Sequence, residues 1–114
     1  NSGIIINVSS RSGRRGVPKL SAYCSAKFAV RGLTESVAKE VENSNIKCIS
    51  ISPGGVNTEM RRKLFGDEDA EKQQPTSRII DIITKILIDE IEVPNGADVL
   101  IVKDKEPAIK VPES

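Results

Sequence analysis

The sequence contains no histidine and no tryptophan, and among its 114 residues there are one tyrosine, two phenylalanines, one methionine and two cysteines. Without histidine, Ser-His-Asp triads, His-ligated zinc and imidazole proton shuttles are excluded. Aromatic side chains make up only 3% of the chain, which leaves little surface for stacking bases or sugars. The cysteines stand 24 residues apart and not as Cys-x-x-Cys. That spacing offers no disulfide framework and no metal ligand set, and suits a reducing compartment, the cytoplasm. An excess of one charge is also missing: 17 basic residues face 16 acidic ones, against a dedicated nucleic-acid binder. No apolar run approaches the ~20 residues that a bilayer span requires, and the opening residues do not read as a signal peptide. What is present is an aliphatic set, with 15 isoleucines among the 38% hydrophobic residues, enough for one packed domain.

Gly3 to Val8 is a short β-branched run ended by Ser9-Ser10, the pattern of a strand buried on both faces of a parallel sheet. A loop rich in Gly and Arg follows. Ser21 is a candidate N-cap for a helix over 22–43, whose apolar stripe is Ala22, Ala26, Ala29, Val30, Leu33, Val37 and Val41. Ile46 to Ile51 reads as the second strand, ended by Ser52-Pro53-Gly54-Gly55. Thr58 is placed to cap a polar helix over 59–74, and Pro75 to open another over 76–90 with Ile79, Ile80, Ile83, Ile86 and Leu87 inward. Asn95-Gly96 predicts a turn, 97–102 a third strand, and 103–114 a loose tail. Strands separated by helices predict right-handed crossovers and an α/β fold on a parallel sheet. The first strand has no partner on one side, and an apolar edge of that kind should be covered.

Tyr23 sits four residues before Lys27, so a helix sets both on one face, about one turn apart. A phenol exchanges protons reluctantly at neutral pH, and a neighbouring ammonium favours the phenolate. The pair is therefore a workable general acid/base without histidine. Alone it is weak: Lys fills 10 of 114 positions, so a lone Tyr meets one at +4 roughly one time in eleven, and without support an ordinary surface pair on a helix is the better reading. Ser10, thirteen residues upstream, falls at the carboxyl end of the first strand, and Pro53-Gly54 ends the second strand on the same edge. Ligands of open α/β sheets bind beyond that edge. A serine hydroxyl there either hydrogen-bonds a substrate oxygen or caps the turn.

The stretches Gly3-Ile-Ile-Ile-Asn-Val-Ser-Ser, Gly13, Tyr23-Cys-Ser-Ala-Lys27, Val30 to Glu40, and Ile51-Ser-Pro-Gly-Gly-Val-Asn-Thr58 resemble the carboxyl half of a short-chain dehydrogenase/reductase. The resemblance covers about residues 1–60, and no one motif carries it alone. It implies a Rossmann-type sheet of which residues 1–102 are the catalytic half, holding the last three of seven strands of a doubly wound fold. It implies NAD- or NADP-dependent hydride transfer between nicotinamide and a small carbonyl/alcohol substrate. Tyr23 then matches the acid/base, Lys27 the lysine that assists it and holds the nicotinamide ribose, and Ser10 the serine that positions the reacting oxygen. Pro53, Gly54, Val56 and Thr58 match the loop beside the nicotinamide. It further implies a homo-oligomer packed through the 22–43 helix, with no nucleic-acid or membrane partner.

Several departures shape the expectation. The chain begins Asn-Ser-Gly without an initiator Met, and no Gly-x-x-x-Gly-x-Gly occurs in it. It therefore reads as the second half of a longer polypeptide, whose amino-terminal half supplies the phosphate cradle, and as inactive by itself. The alternative is a truncated scaffold or interaction module without chemistry. Arg11, Arg14 and Arg15, like Arg61 and Arg62, read as a solvated basic surface, or else as the mouth of a pocket for an anionic substrate. Cys24 reads as buried filler. The 59–74 segment buries little and has the character of a mobile lid.

Overall fold

The β-branched runs form the sheet, and their residues divide cleanly between its two faces. The structure, a computed structural model, describes residues 2–113. The strands are β1 (Ser2–Val8), β2 (Asn45–Pro53), β3 (Asp98–Ile101) and β4 (Ala108–Lys110), in spatial order β1-β2-β3-β4. The helices are α1 (Ser21–Glu40), α2 (Glu59–Phe65), α3 (Asp67–Glu71) and α4 (Thr76–Leu87), and a 3-10 turn spans Arg11–Gly13. β1 and β2 pair in parallel from Ser2↔Asn45 to Val8↔Ile51, and β3 joins β2 in parallel from Ser50↔Asp98 to Pro53↔Ile101. The α/β class and the parallel pairing of the three predicted strands are as the sequence predicts; the antiparallel fourth strand, β4, is an addition.

One face of the sheet is dry. Ile49 and Ile51 of β2 and Val99 and Ile101 of β3 pack against Ile82 and Ile86 of α4, with Val93 and Ala97 closing the cluster. Ile4 and Ile6 of β1 lie against the same core. Burial of such side chains contributes about 1.5–3 kcal/mol each. The predicted stripe of α4 needs correction: Ile82 is core, whereas Ile80 and Leu87 are 62% and 54% exposed.

The opposite face, toward α1, is polar. Asp98, 2% exposed, accepts hydrogen bonds at Oδ1 from Ser50 Oγ (2.5 Å) and Ser52 Oγ (2.7 Å), and at Oδ2 from Arg14 Nε (2.6 Å). Arg31 Nε of α1 stands 3.6 Å from Oδ2, too far for a hydrogen bond but close enough for coulombic attraction. Arg14 is therefore no part of a solvated basic surface; it reaches inward from the loop after β1. Asn7 Nδ2 donates to Thr34 Oγ1 (3.0 Å), and Asn95 Nδ2 donates to the Ala38 carbonyl (2.8 Å) while Asn95 Oδ1 accepts from Cys48 N (2.8 Å). α1 thus rests on directed bonds. Its buried residues are Cys24, Thr34 and Ala38, while Ala22, Ala26, Ala29 and Leu33 of the predicted stripe face outward. The helix has apolar residues on two sides, and polar pairing selects which side turns in.

Three further boundaries differ from expectation. Ser21 begins α1 but does not cap it; Leu20 holds the cap position without a side-chain bond. The 59–74 segment is two short helices, because Gly66 at φ +91° breaks the spiral where other residues are disfavoured. The 103–114 segment is not loose throughout: Ala108–Lys110 forms β4, antiparallel to β3 with Asp98↔Lys110 and Leu100↔Ala108. The Asn95-Gly96 turn forms as predicted, with Gly96 at φ +85°, where an added Cβ would meet Pro112 Cγ at 3.0 Å.

Two kinds of outcome follow, the first from substitution. Removing the buried carboxylate by Asp98→Ala leaves the half-buried Arg14 and Arg31 guanidinium groups without their counter-charge and should cost about 3 kcal/mol in urea unfolding. The exposed Lys85–Asp81 pair (3.2 Å), broken by Asp81→Ala, should change stability by no more than about 0.5 kcal/mol. A second outcome concerns acid. The Arg61 guanidinium, 2.7 Å from Asp69, holds that carboxyl below its ordinary value. A lowered carboxyl stabilises the α2–α3 contact at neutral pH, and the stabilisation is lost only as pH falls through the folded-state value, below about 3.9. Amide exchange in α2 should therefore stay constant from neutral pH to about 4 once corrected for intrinsic rates, and accelerate below it.

Candidate active site

Val8 ends β1, and the two serines after it have different duties. Ser9, 3% exposed, donates from Oγ to the Lys27 carbonyl (2.9 Å) and from its backbone N–H to the Ile51 carbonyl (2.7 Å). Ser10 takes an extended conformation and caps the 3-10 turn, its Oγ accepting from Ser12 N at 3.1 Å. Capping uses the Ser10 oxygen as acceptor; its single O–H is still able to donate outward.

Tyr23 and Lys27 lie in the first two turns of α1, both half-buried. Lys27 Nζ sits 5.6 Å from the centroid of the Tyr23 ring and donates to the Val8 carbonyl at 3.5 Å. The ammonium therefore lies at the carboxyl end of β1, beside the segment that carries Ser10. Helix spacing and strand end bring the three predicted residues to one edge of the sheet.

The second half of the edge comes from β2. Pro53 is its last residue. Gly54 N donates to the Ile101 carbonyl (2.8 Å), Val56 bridges Gln74, and Asn57 N donates to the Gln74 carbonyl (2.8 Å). Thr58 caps α2, its Oγ1 accepting from Arg61 N at 3.1 Å. The Pro53–Thr58 loop is thus tied to β3 and to the segment before α4. Gln74 is the hidden anchor: 1% exposed, it donates to the Ile101 carbonyl (2.9 Å) and accepts from Arg78 Nη1 (2.6 Å).

Two cavities lie elsewhere. One of about 400 Å³ is bounded by Gln74, Arg78 and the turn between β3 and β4, and one of about 270 Å³ by Arg31, Lys39 and the residues after β4. Neither is lined by Ser10, Tyr23 or Lys27, each of which is half-buried. Arg61 is not free to line a pocket mouth; it pairs with Asp69 and stacks at 4.3 Å from the Phe65 ring centroid. Cys24 and Cys48 are buried free thiols, as read for Cys24, and burial pushes the Cys48 thiol up, away from the reactive thiolate.

Sequence reasoning left Ser9 as a turn-capping residue and gave Gln74 and Asp98 no role. Asp98 had a signal: a charged residue inside an apolar strand is expensive unless partnered. Ser9 and Gln74 had none that local pattern could supply.

Comparison with known proteins places this geometry in a family. Residues 1–69 match the family model for short chain dehydrogenase. The chain is 38% identical over 85 residues to an NADPH-dependent pterin aldehyde reductase of Arabidopsis thaliana, covering 75% of this chain and 35% of that protein. It is 36% identical over 102 residues to a trans-4-hydroxycyclohexanecarboxylate dehydrogenase of Sinomonas cyclohexanicum, covering 87% and 39%. A solved structure of a short chain dehydrogenase from Salmonella enterica serovar Typhi superposes with a TM-score of 0.78 at 29% identity, over 87% of this chain and 41% of that one. The chain therefore spans little more than a third of the length of these curated relatives. By model match, sequence identity and fold together, this chain belongs to the short-chain dehydrogenase family.

Proposed function

We propose that this chain supplies the catalytic half of an NAD- or NADP-dependent oxidoreductase acting on a carbonyl/alcohol pair. The observation that carries the reading is the placement of Lys27 Nζ between the Val8 carbonyl (3.5 Å) and the Tyr23 ring (5.6 Å to its centroid), on the edge where Ser10 emerges. In reduction the Tyr23 O–H passes its proton to the carbonyl oxygen as that oxygen gains charge; in oxidation the phenolate takes the alcohol proton. The Ser10 O–H donates to the same oxygen and orients it. A bound nicotinamide supplies or accepts the hydride.

The residues present suit one end of such a cofactor. Lys27 Nζ makes one long hydrogen bond, leaving N–H donors for ribose hydroxyls. Pro53, Gly54 and Val56 offer a loop anchored from behind, and the Thr58 hydroxyl, an acceptor toward Arg61, keeps its O–H for a carboxamide oxygen. The pyrophosphate end has no Gly-rich turn in this sequence. We assign it to an amino-terminal half of the same protein, whose sheet would continue past β1; Ile5 and Val8 there are 42% and 55% exposed. The outward Ala22, Ala26, Ala29 and Leu33 support a homo-oligomer joined through α1, and two free thiols suit the cytoplasm. Residues 1–102 form this catalytic half.

Two measurements test the reading. In the full-length protein, screened with NADH and NADPH against small aldehydes and ketones, Tyr23→Phe should lower kcat by about 10²–10⁴-fold with unchanged circular dichroism; full activity in that variant would remove the acid/base assignment. Titration with NADPH, followed by cofactor fluorescence, should give a saturable response with the full-length protein and little with the 114-residue chain. No response from either would favour a scaffold without chemistry.

A further inference from the structure

We infer that Ser9 is a positioning residue, whose hydroxyl sets the place of Lys27 and Tyr23 relative to Ser10; this rests on the reading of those three residues given above. Ser9 is nearly sealed from solvent, and its backbone and side chain bind different elements. The N–H fixes the end of β1 to β2 through the Ile51 carbonyl (2.7 Å), and Oγ fixes it to α1 through the Lys27 carbonyl (2.9 Å). Turn capping does not account for this hydroxyl, because the adjacent Ser10 performs it. Inside a helix the Lys27 carbonyl also serves the amide one turn on, and its second lone pair takes the Ser9 proton. Lys27 is consequently held at both ends by consecutive residues: its carbonyl by Ser9, its ammonium by the Val8 carbonyl (3.5 Å).

Gly13 forms the third wall of the joint. A Cβ built there would lie 2.4 Å from Ser9 Oγ and 2.9 Å from the Lys27 oxygen, so any side chain must displace one or both. The 3-10 turn that ends at Gly13 is the one Ser10 caps. Ser9, Gly13 and Lys27 therefore meet where the Ser10 turn and α1 touch, and the hydroxyl between them sets the spacing. A proton relay across that spacing is sensitive to shifts well below an ångström.

The test is a double-mutant cycle in the full-length protein, using the best carbonyl substrate from the screen above. Ser9→Ala is expected to lower kcat about 10- to 100-fold, with the KM of substrate and cofactor unchanged within about threefold. Gly13→Ala should lower kcat similarly by pushing the hydroxyl off the Lys27 carbonyl. The double variant lacks the Oγ at 2.4 Å and keeps only the 2.9 Å approach to the Lys27 oxygen, so its loss should be smaller than the product of the single losses. Ser9→Thr, which keeps the hydroxyl, should recover most of the rate. Wild-type kcat in Ser9→Ala beside an inactive Tyr23→Phe would overturn the inference and leave the site reading standing. Multiplying losses in the double variant, or a loss confined to the melting temperature, would also overturn it. Full activity in Tyr23→Phe would instead remove the reading beneath it. Should Ser9→Ala not fold, Gly13→Ala with wild-type kcat would be the overturning result.

Discussion

The carboxylate of Asp98 is the constraint on which the polar half of this molecule depends. It is buried, and a bare buried anion is among the costliest things a fold can contain. The sequence surrounds it with two hydroxyls from β2, a guanidinium from the loop after β1 and a second from α1. Each partner satisfies the charge and is itself located by it. Arg14 lies only four residues beyond Ser10, so the anchor reaches almost to the site.

The two faces of the sheet are held by different physics, and the difference serves chemistry. Against α4 the contact is aliphatic, strong in total and indifferent to small rotations. Against α1 the contact is a set of directed bonds: Asn7 to Thr34, Asn95 to Ala38, Ser9 to Lys27. Directed bonds define the rotation and the translation of a helix more sharply than oily contact does. The helix that carries Tyr23 and Lys27 is the one positioned in that way. The loop after β2 has its own polar anchor in Gln74.

The runs Ile4-Ile5-Ile6 and Ile46 to Ile51, and the Asn95-Gly96 turn, were legible because local sequence alone decides them. So was the edge on which Ser10, Lys27 and Pro53 gather, since strand direction and helix spacing determine it. The inward side of α1 was not, because Ala22, Ala26 and Ala29 compete with Cys24, Thr34 and Ala38 and only distant partners settle the contest. The same holds for α4, where Ile80 and Ile82 are equally apolar and only packing distinguishes them. Gly66 was a visible breaker inside a polar segment. β4 was obscured by Pro107 and Pro112, which flank three residues whose pairing depends on β3 rather than on their own pattern.

The antiparallel pairing of β4 on β3 has a consequence for how the chain behaves in company. β4 is three exposed residues long and forms one edge of the sheet, so the seven-residue, isoleucine-rich margin of β1 is the longer of the two edges open to further backbone. A margin of that composition, left bare, is a template for self-association.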